Sequence, residues 1–161
     1  MKEISKILLN NRINKIYTSL TDFILSFTDK LYNNLTIRRQ LLDKSKFVKK
    51  NGVLSEKRLF TMILIDYLEE AELTLSLIRR YNYTYNDRLL EIGGGLGFVY
   101  CYLKRCGYNI YGVEPSEEPS DLGFDGYYKT SLEIFKIVGV DKSNFYPIFA
   151  KDCKKLNLKL I

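Results

Sequence analysis

The sequence predicts an α/β fold in which a small parallel sheet follows a helical N-terminal region. Three observations carry this. Short apolar runs at 89–92, 108–114 and 144–150 alternate with helix-like stretches, the pattern of βαβ units with right-handed crossovers. Four of the ten glycines fall within residues 93–97, between the first such run and the first such helix. Before residue 81 the rhythm differs, with apolar residues recurring every three or four positions, the period of amphipathic helices.

Taken in order, residues 3–42 are helix-like, with Ile16, Leu20, Phe23, Ile24, Phe27 and Leu31 on one stripe. The basic connector "KSKFVKKNGVLSEKR" carries an Asn51-Gly52 turn signal. Ser55 is placed to cap the next helix, whose stripe is Phe60, Ile63, Leu64, Tyr67, Leu68, Ala71, Leu75 and Ile78. Arg79 and Arg80 suit its negative C-terminal end. "YNYTYNDR" reads as a polar, aromatic loop. "LLEIG" is a short buried strand, and "GLGFVYCYLKRCG" a helix that starts in the glycines and stops at Gly107. "YNIYGVE" is a second strand. "YYKTSLEIFKIVG" is a helix with Tyr128, Leu132, Phe135 and Val138 on one side. "NFYPIFA" is a third strand that Pro147 weakens or confines to an edge. The division expected is a basic helical extension over 1–54 and the sheet-containing part over 55–161.

Composition removes several function classes. The 161 residues are 46% hydrophobic, enough to bury a core rather than remain disordered. No stretch approaches the roughly 20 apolar residues of a membrane helix, and the N-terminus lacks the pattern of a signal peptide. With no histidine, a His general base, a His zinc ligand or a Ser-His-Asp triad is impossible within the chain. Three cysteines without CxxC spacing fit a reducing cytoplasm and small packed residues rather than a disulfide framework. Charge is uneven. Residues 1–58 hold 13 Lys/Arg against 5 Asp/Glu, within a chain of net charge +6. That is a solvated helical surface or one that meets an anion. No stacking platform or recognised RNA-binding motif is legible to support a nucleic-acid partner.

The glycines point to a ligand. In a βαβ unit the first strand-to-helix turn is where a nucleotide-like molecule sits. Gly93, Gly95 and Gly97 let the backbone turn sharply and approach it closely, and the following helix aims its N–H groups and positive dipole end there. Glu114, ending the second strand, offers two acceptor oxygens that suit the two hydroxyls of a ribose. A nicotinamide dinucleotide site asks for G-x-G-x-x-G. Starting at Gly93 the sixth position is Phe98, starting at Gly95 it is Tyr100, and starting at Gly94 the third is Leu96. No register fits.

The pattern present is acid-x-G-x-G-x-G, from Glu91 through Gly93 and Gly95 to Gly97. This resembles motif I of the class I S-adenosylmethionine-dependent methyltransferases. "YGVEPS" resembles the second strand of that family and "FYPIFAKDCKKLNL" its third strand and following motif, so the resemblance spans roughly residues 85–160. It implies a Rossmann-like sheet and S-adenosylmethionine as cofactor. Glu91 would hold the amino end of the methionine moiety, and the backbone from Gly93 through Gly94 and Gly95 to Gly97 would border it. Glu114 would take the ribose hydroxyls. Pro115 and Ser116 would border the adenine, and Asp152 would accept from its amine with Cys153 alongside. The family's sheet has seven strands ordered 3-2-1-4-5-7-6, and this chain has material for 3-2-1 only. The expected fold is therefore an incomplete Rossmann-like parallel sheet with flanking helices. Catalytic residues are not identifiable, and the methyl acceptor is open, with the basic surface favouring an anionic one. The missing strands have three explanations: a piece of a longer enzyme, strands from another polypeptide, or a non-catalytic module whose N-terminal helices cover the edge. An open edge at Leu89–Ile92 is expected, available for self-association or a partner chain.

Overall fold

The computed structural model describes residues 19–43, 55–116 and 126–156. The Asn51-Gly52 turn signal, the 54/55 boundary and the helix-like residues 3–18 lie outside the described residues or on their border.

Where one apolar stripe ran to residue 42, the described part is three short helices: α1 (Leu20–Leu25), α2 (Thr28–Asn33) and α3 (Leu35–Asp43). The breaks have local causes. Ser19 caps α1, its Oγ accepting the Asp22 N–H at 3.0 Å. Asn34 turns extended, and its Oδ1 accepts the Ile37 N–H at 3.1 Å, opening a new helix. A short polar side chain that caps competes with helix continuation, and at Asn34 capping wins. Helix α4 (Glu56–Arg80) runs unbroken for 25 residues. The Ser55 Oγ accepts the Arg58 N–H at 3.4 Å, and Phe60, Leu64, Leu68, Ala71 and Leu75 form its buried stripe.

The rest alternates: β1 (Arg88–Ile92), α5 (Phe98–Arg105), β2 (Asn109–Val113), α6 (Tyr128–Val138) and β3 (Phe145–Tyr146), followed by a 3-10 segment, Ala150–Leu156. The molecule is thus mixed α/β with a three-stranded parallel open sheet ordered β1-β2-β3. Pro147 ends β3 after two residues, at the sheet edge. Both inter-strand helices close on left-handed glycines, Gly107 after α5 and Gly139 after α6. The Tyr108 and Val140 N–H groups reach back to the carbonyls of Leu103 and Phe135, which is how such a glycine satisfies a helix end.

Because the strands follow one another in a single direction, crossovers of one hand put both helices on one face. That face is the one to which Glu91, Ile110 and Gly112 point. Tyr100 of α5, Phe135 of α6 and Phe145 of β3 meet over it, ring centroids 4.9–5.1 Å apart. A side chain at position 112 would strike the Phe145 ring, so glycine stands there. Helices α1–α4 pack outside α5 and α6, and their buried residues belong to one apolar cluster with those of the inner helices. The other face, to which Leu90, Ile92 and Tyr111 point, is half-buried at Leu90 and Tyr111 and exposed at Ile92.

Among the described residues β1 pairs with β2 alone. The Gly93 N–H donates to the Val113 carbonyl, so by alternation the N–H and C=O groups of Leu90 and Ile92 face the open side. Ile92 is 54% exposed, and a groove of about 930 Å³ runs along the strand.

Candidate functional site at the glycine turn

Gly93, Gly95 and Gly97 have φ of +64°, +56° and +70°, a region L-residues with a Cβ occupy at a cost. A tight turn results, with the Gly97 N–H donating to the Gly94 carbonyl at 2.9 Å. Gly97 is constrained twice, since an added Cβ would lie 2.8 Å from Phe135 Cζ. Gly94 meets a flexible side chain instead. A Cβ there would run into the Glu91 carboxyl group, which would have to swing aside.

The two acids singled out by the sequence both meet this turn, and both do so through the backbone. Glu114 is buried at the end of β2, 3% exposed. Its Oε2 accepts the Gly95 N–H at 3.0 Å and its Oε1 the Tyr127 N–H, just before α6, at 3.4 Å. Glu91 lies under the turn, where its Oε2 accepts the Tyr100 N–H at 3.1 Å. That N–H belongs to the first turn of α5, so a Glu91 carboxyl oxygen satisfies one of the donors at the helix N-terminus. The helix start therefore does not offer all its donors to a ligand, as the sequence suggested; Glu91 already takes the Tyr100 N–H. Burial, followed by the nearby Glu114 charge, pushes the Glu91 carboxyl up to about 8, against the lowering effect of the Tyr100 N–H.

Three further residues complete the arrangement. The Ser131 hydroxyl, fully buried on α6, lies 2.9 Å from the Gly95 carbonyl and 3.0 Å from that of Tyr127. Tyr127 meets Tyr67 of α4, hydroxyl to hydroxyl, at 2.9 Å. Ser131 had a signal in the sequence: it is a polar residue among Tyr127, Ile134, Phe135 and Val138 on an otherwise apolar stripe. Tyr67 and Tyr127 had none, being ordinary members of apolar stripes.

A cavity of about 190 Å³ opens between the turn and α4. Glu91, Gly93, Gly94 and Gly95 line one side and Tyr67, Glu70 and Thr74 the other. Its wall holds two carboxyl groups and no basic side chain. Pro115 and Ser116 continue from Glu114 and lie against Gly126, where an added Cβ would meet the Pro115 carbonyl oxygen. Asp152 and Cys153 sit in the 3-10 segment after β3, two strands from the glycine turn but at the same, C-terminal end of the parallel sheet. The Asp152 N–H donates to the Phe149 carbonyl at 2.9 Å, and the buried Cys153 Sγ lies 3.9 Å from the same oxygen. Cys101, Cys106 and Cys153 are all buried free thiols, and burial raises those of Cys101 and Cys106. Among the described residues no three potential ligands gather to hold a metal ion, and no helix is long and apolar enough to cross a membrane.

Comparison with protein-family models, with curated proteins and with solved structures finds no match for this chain.

Proposed function

We propose that the glycine turn binds S-adenosylmethionine and that the chain is the cofactor-binding part of a methyltransferase with a Rossmann-like sheet, acting on an anionic acceptor. The observation that carries this reading is the placement of two acids on one glycine turn, the half-buried Glu91 beneath it and the buried Glu114 across from it on the neighbouring strand. The fit is chemical. The cavity wall is acidic without a counter-charge, which suits a ligand bearing an ammonium and a sulfonium. Glu114, at the end of β2 beside the turn, would take the ribose hydroxyls with its carboxylate oxygens. Asp152 and Cys153, at the same end of the sheet, would border the adenine beyond Pro115 and Ser116.

When bound, the cofactor supplies an activated methyl group. The chain's part is to orient it and exclude water. Glu91 would ionise on meeting the ligand ammonium, releasing a proton near neutral pH. In this reading the outer edge of β1 takes a further strand from a second copy or another polypeptide, and the acceptor binds beyond it.

A second reading has its own observation. Glu114 is committed to two main-chain N–H groups and Ser131 to the Gly95 carbonyl, so the turn is also well built as a scaffold in a non-catalytic module.

Calorimetric titration with S-adenosylmethionine and with its demethylated product, with NAD as control, separates the two. The cofactor reading expects binding of the first two only, weakened about tenfold or more in Glu114→Gln, a loss of roughly 1.4 kcal/mol or more. It also expects an enthalpy that varies with the ionisation enthalpy of the buffer, reporting the Glu91 proton. A folded chain that binds neither compound leaves the scaffold reading. Tighter binding of NAD would move the site to nicotinamide chemistry.

A further inference from the structure

At the C-terminal end of α4, the fold assembles an aromatic, basic surface from residues scattered in the sequence. The loop after α4 carries three exposed tyrosines, Tyr81 at 71% and Tyr83 and Tyr85 at 43% each. Tyr81 and Tyr83 lie 6.0 Å apart, centroid to centroid. Tyr85 lies on Tyr108, which leads into β2, at 4.5 Å with 39° between the planes. Tyr83, Tyr85 and Tyr108 join Tyr102 of α5 around a cavity of about 480 Å³, within the range of small-ligand sites. Five of the chain's 13 tyrosines thus converge in one place.

The rim is basic and polar. Arg79 and Asn82 line the cavity, and the Arg79 charge is close enough to be felt by Tyr102, Cys106 and Tyr108. Neither Arg79 nor Arg80 makes an ion pair among the described residues, and both are exposed. The neighbouring acids are engaged internally. Asp87 accepts from the Thr84 N–H and hydroxyl at 2.6 and 2.9 Å, and Glu72 accepts from the Thr21 N–H at 2.9 Å. Asn82, held at φ +53°, presents an amide with both donors and an acceptor.

We propose that this surface binds single-stranded nucleic acid, with bases stacked on Tyr81, Tyr83 and Tyr85 and phosphates met by Arg79 and Arg80. Aromatic platforms interleaved with unpaired cations are the means by which proteins hold unpaired strands. The occupant follows from charge and shape together. An acidic peptide would need the arginines and have little use for the exposed ring faces. A duplex keeps its bases stacked on each other and out of reach. The cavity takes one base, and the Tyr81–Tyr83 pair extends the platform to a second. The inference goes beyond the cofactor reading and does not depend on it, because this cavity shares no residue with the one at the glycine turn.

The test is fluorescence anisotropy with a labelled oligo-deoxythymidine decamer at about 50 mM salt, where phosphate contacts are strong. The chain has no tryptophan, so quenching of its tyrosine emission reports stacking directly. Binding of the decamer with quenching is expected. The Tyr83→Ala/Tyr85→Ala variant should bind about tenfold or more weakly, since each stacked base is worth roughly 5- to 150-fold. Arg79→Gln should weaken binding about threefold and lower the salt slope by about 0.7, the value of one phosphate contact on a single strand. Lys136→Gln, an exposed charge on α6, should change neither. Circular dichroism checks that each variant is folded, and Tyr85→Phe, which keeps the ring, should retain binding. The proposal is overturned if the decamer does not bind the folded chain, or if the tyrosine variant binds it as well as the parent. Equal affinity for inorganic polyphosphate of matched charge, for the duplex or for uridine monophosphate would overturn it too.

Discussion

The turn after β1 and the loop after α4 are built on opposite plans. The glycine turn is short, held from all sides and hostile to side chains. Glu114 and Ser131 grip Gly95 from its N–H and its carbonyl, Glu91 fills the space over Gly94, and Phe135 abuts Gly97. The tyrosine loop is tied mainly by the local bonds of Asp87 to Thr84 and presents its rings to solvent. In the first, the backbone is the working surface and side chains hold it. In the second, the side chains are the working surface and the backbone only spaces them. Substitutions should therefore cost stability in one and leave it almost untouched in the other.

The sharpest contrast lies within the glycine turn. Gly97→Ala adds a left-handed backbone penalty to a Cβ 2.8 Å from a ring carbon packed in the core. A loss of about 2–4 kcal/mol is expected from strain and overpacking together, read as a lower urea midpoint. Gly93→Ala meets no atom within 4 Å, so only the backbone term of about 1 kcal/mol remains. Equal losses in the two would mean that the Phe135 contact yields freely and that only the left-handed backbone calls for glycine at position 97.

The same division explains what could be read in advance. Strand and helix periods, and glycines that demand a left-handed backbone, are local properties, so the alternation from β1 to β3 and the position of the glycine turn were legible. So was the edge placement of β3, because Pro147 removes a donor. The breaks in the N-terminal stripe were not, although Asn34 is a good cap, because an unbroken apolar stripe outweighs one polar residue in a periodicity count. Which way Glu91 and Glu114 point was also out of reach. Their types and spacing suggest a ligand, but their partners, the N–H groups of Tyr100, Gly95 and Tyr127, depend on how the sheet and helices stack. The tyrosine surface was hidden for a stronger reason. "YNYTY" reads as a polar loop until the fold brings Tyr102 and Tyr108 beneath it.

A smaller effect tests the acid under the turn. In Glu91 the folded-state value of about 8 stands above the ordinary 4.5, so between those values the folded chain binds a proton that the unfolded chain has lost. Stability from this residue is complete below about pH 4.5, falls as pH rises and levels off above about 8, by at most about 1.4 kcal/mol per pH unit. Glu91→Gln keeps an oxygen for the Tyr100 N–H and removes the titration. The variant should match the parent near pH 5 and exceed it by about 1–3 kcal/mol at pH 8.5. Parallel stability curves for the two across that range would show that Glu91 stays ionised in the folded chain.

The smallest effect is expected where the rings are most exposed. Tyr81 is 71% exposed and meets Tyr83 only at the edge of contact distance, so Tyr81→Ala should cost no more than about 0.5 kcal/mol, the range of ordinary surface changes. Tyr85 rests on Tyr108 at 4.5 Å, and its removal should cost about 1 kcal/mol, the worth of one aromatic pair. If Tyr81→Ala destabilised the chain as much as Gly97→Ala, the ring would be a structural anchor of the α4 terminus, and its exposure would no longer argue for a ligand. If it left stability unchanged while lowering decamer affinity, the two turns would differ as their construction implies, one spending its side chains on holding the fold and the other leaving them free for a partner.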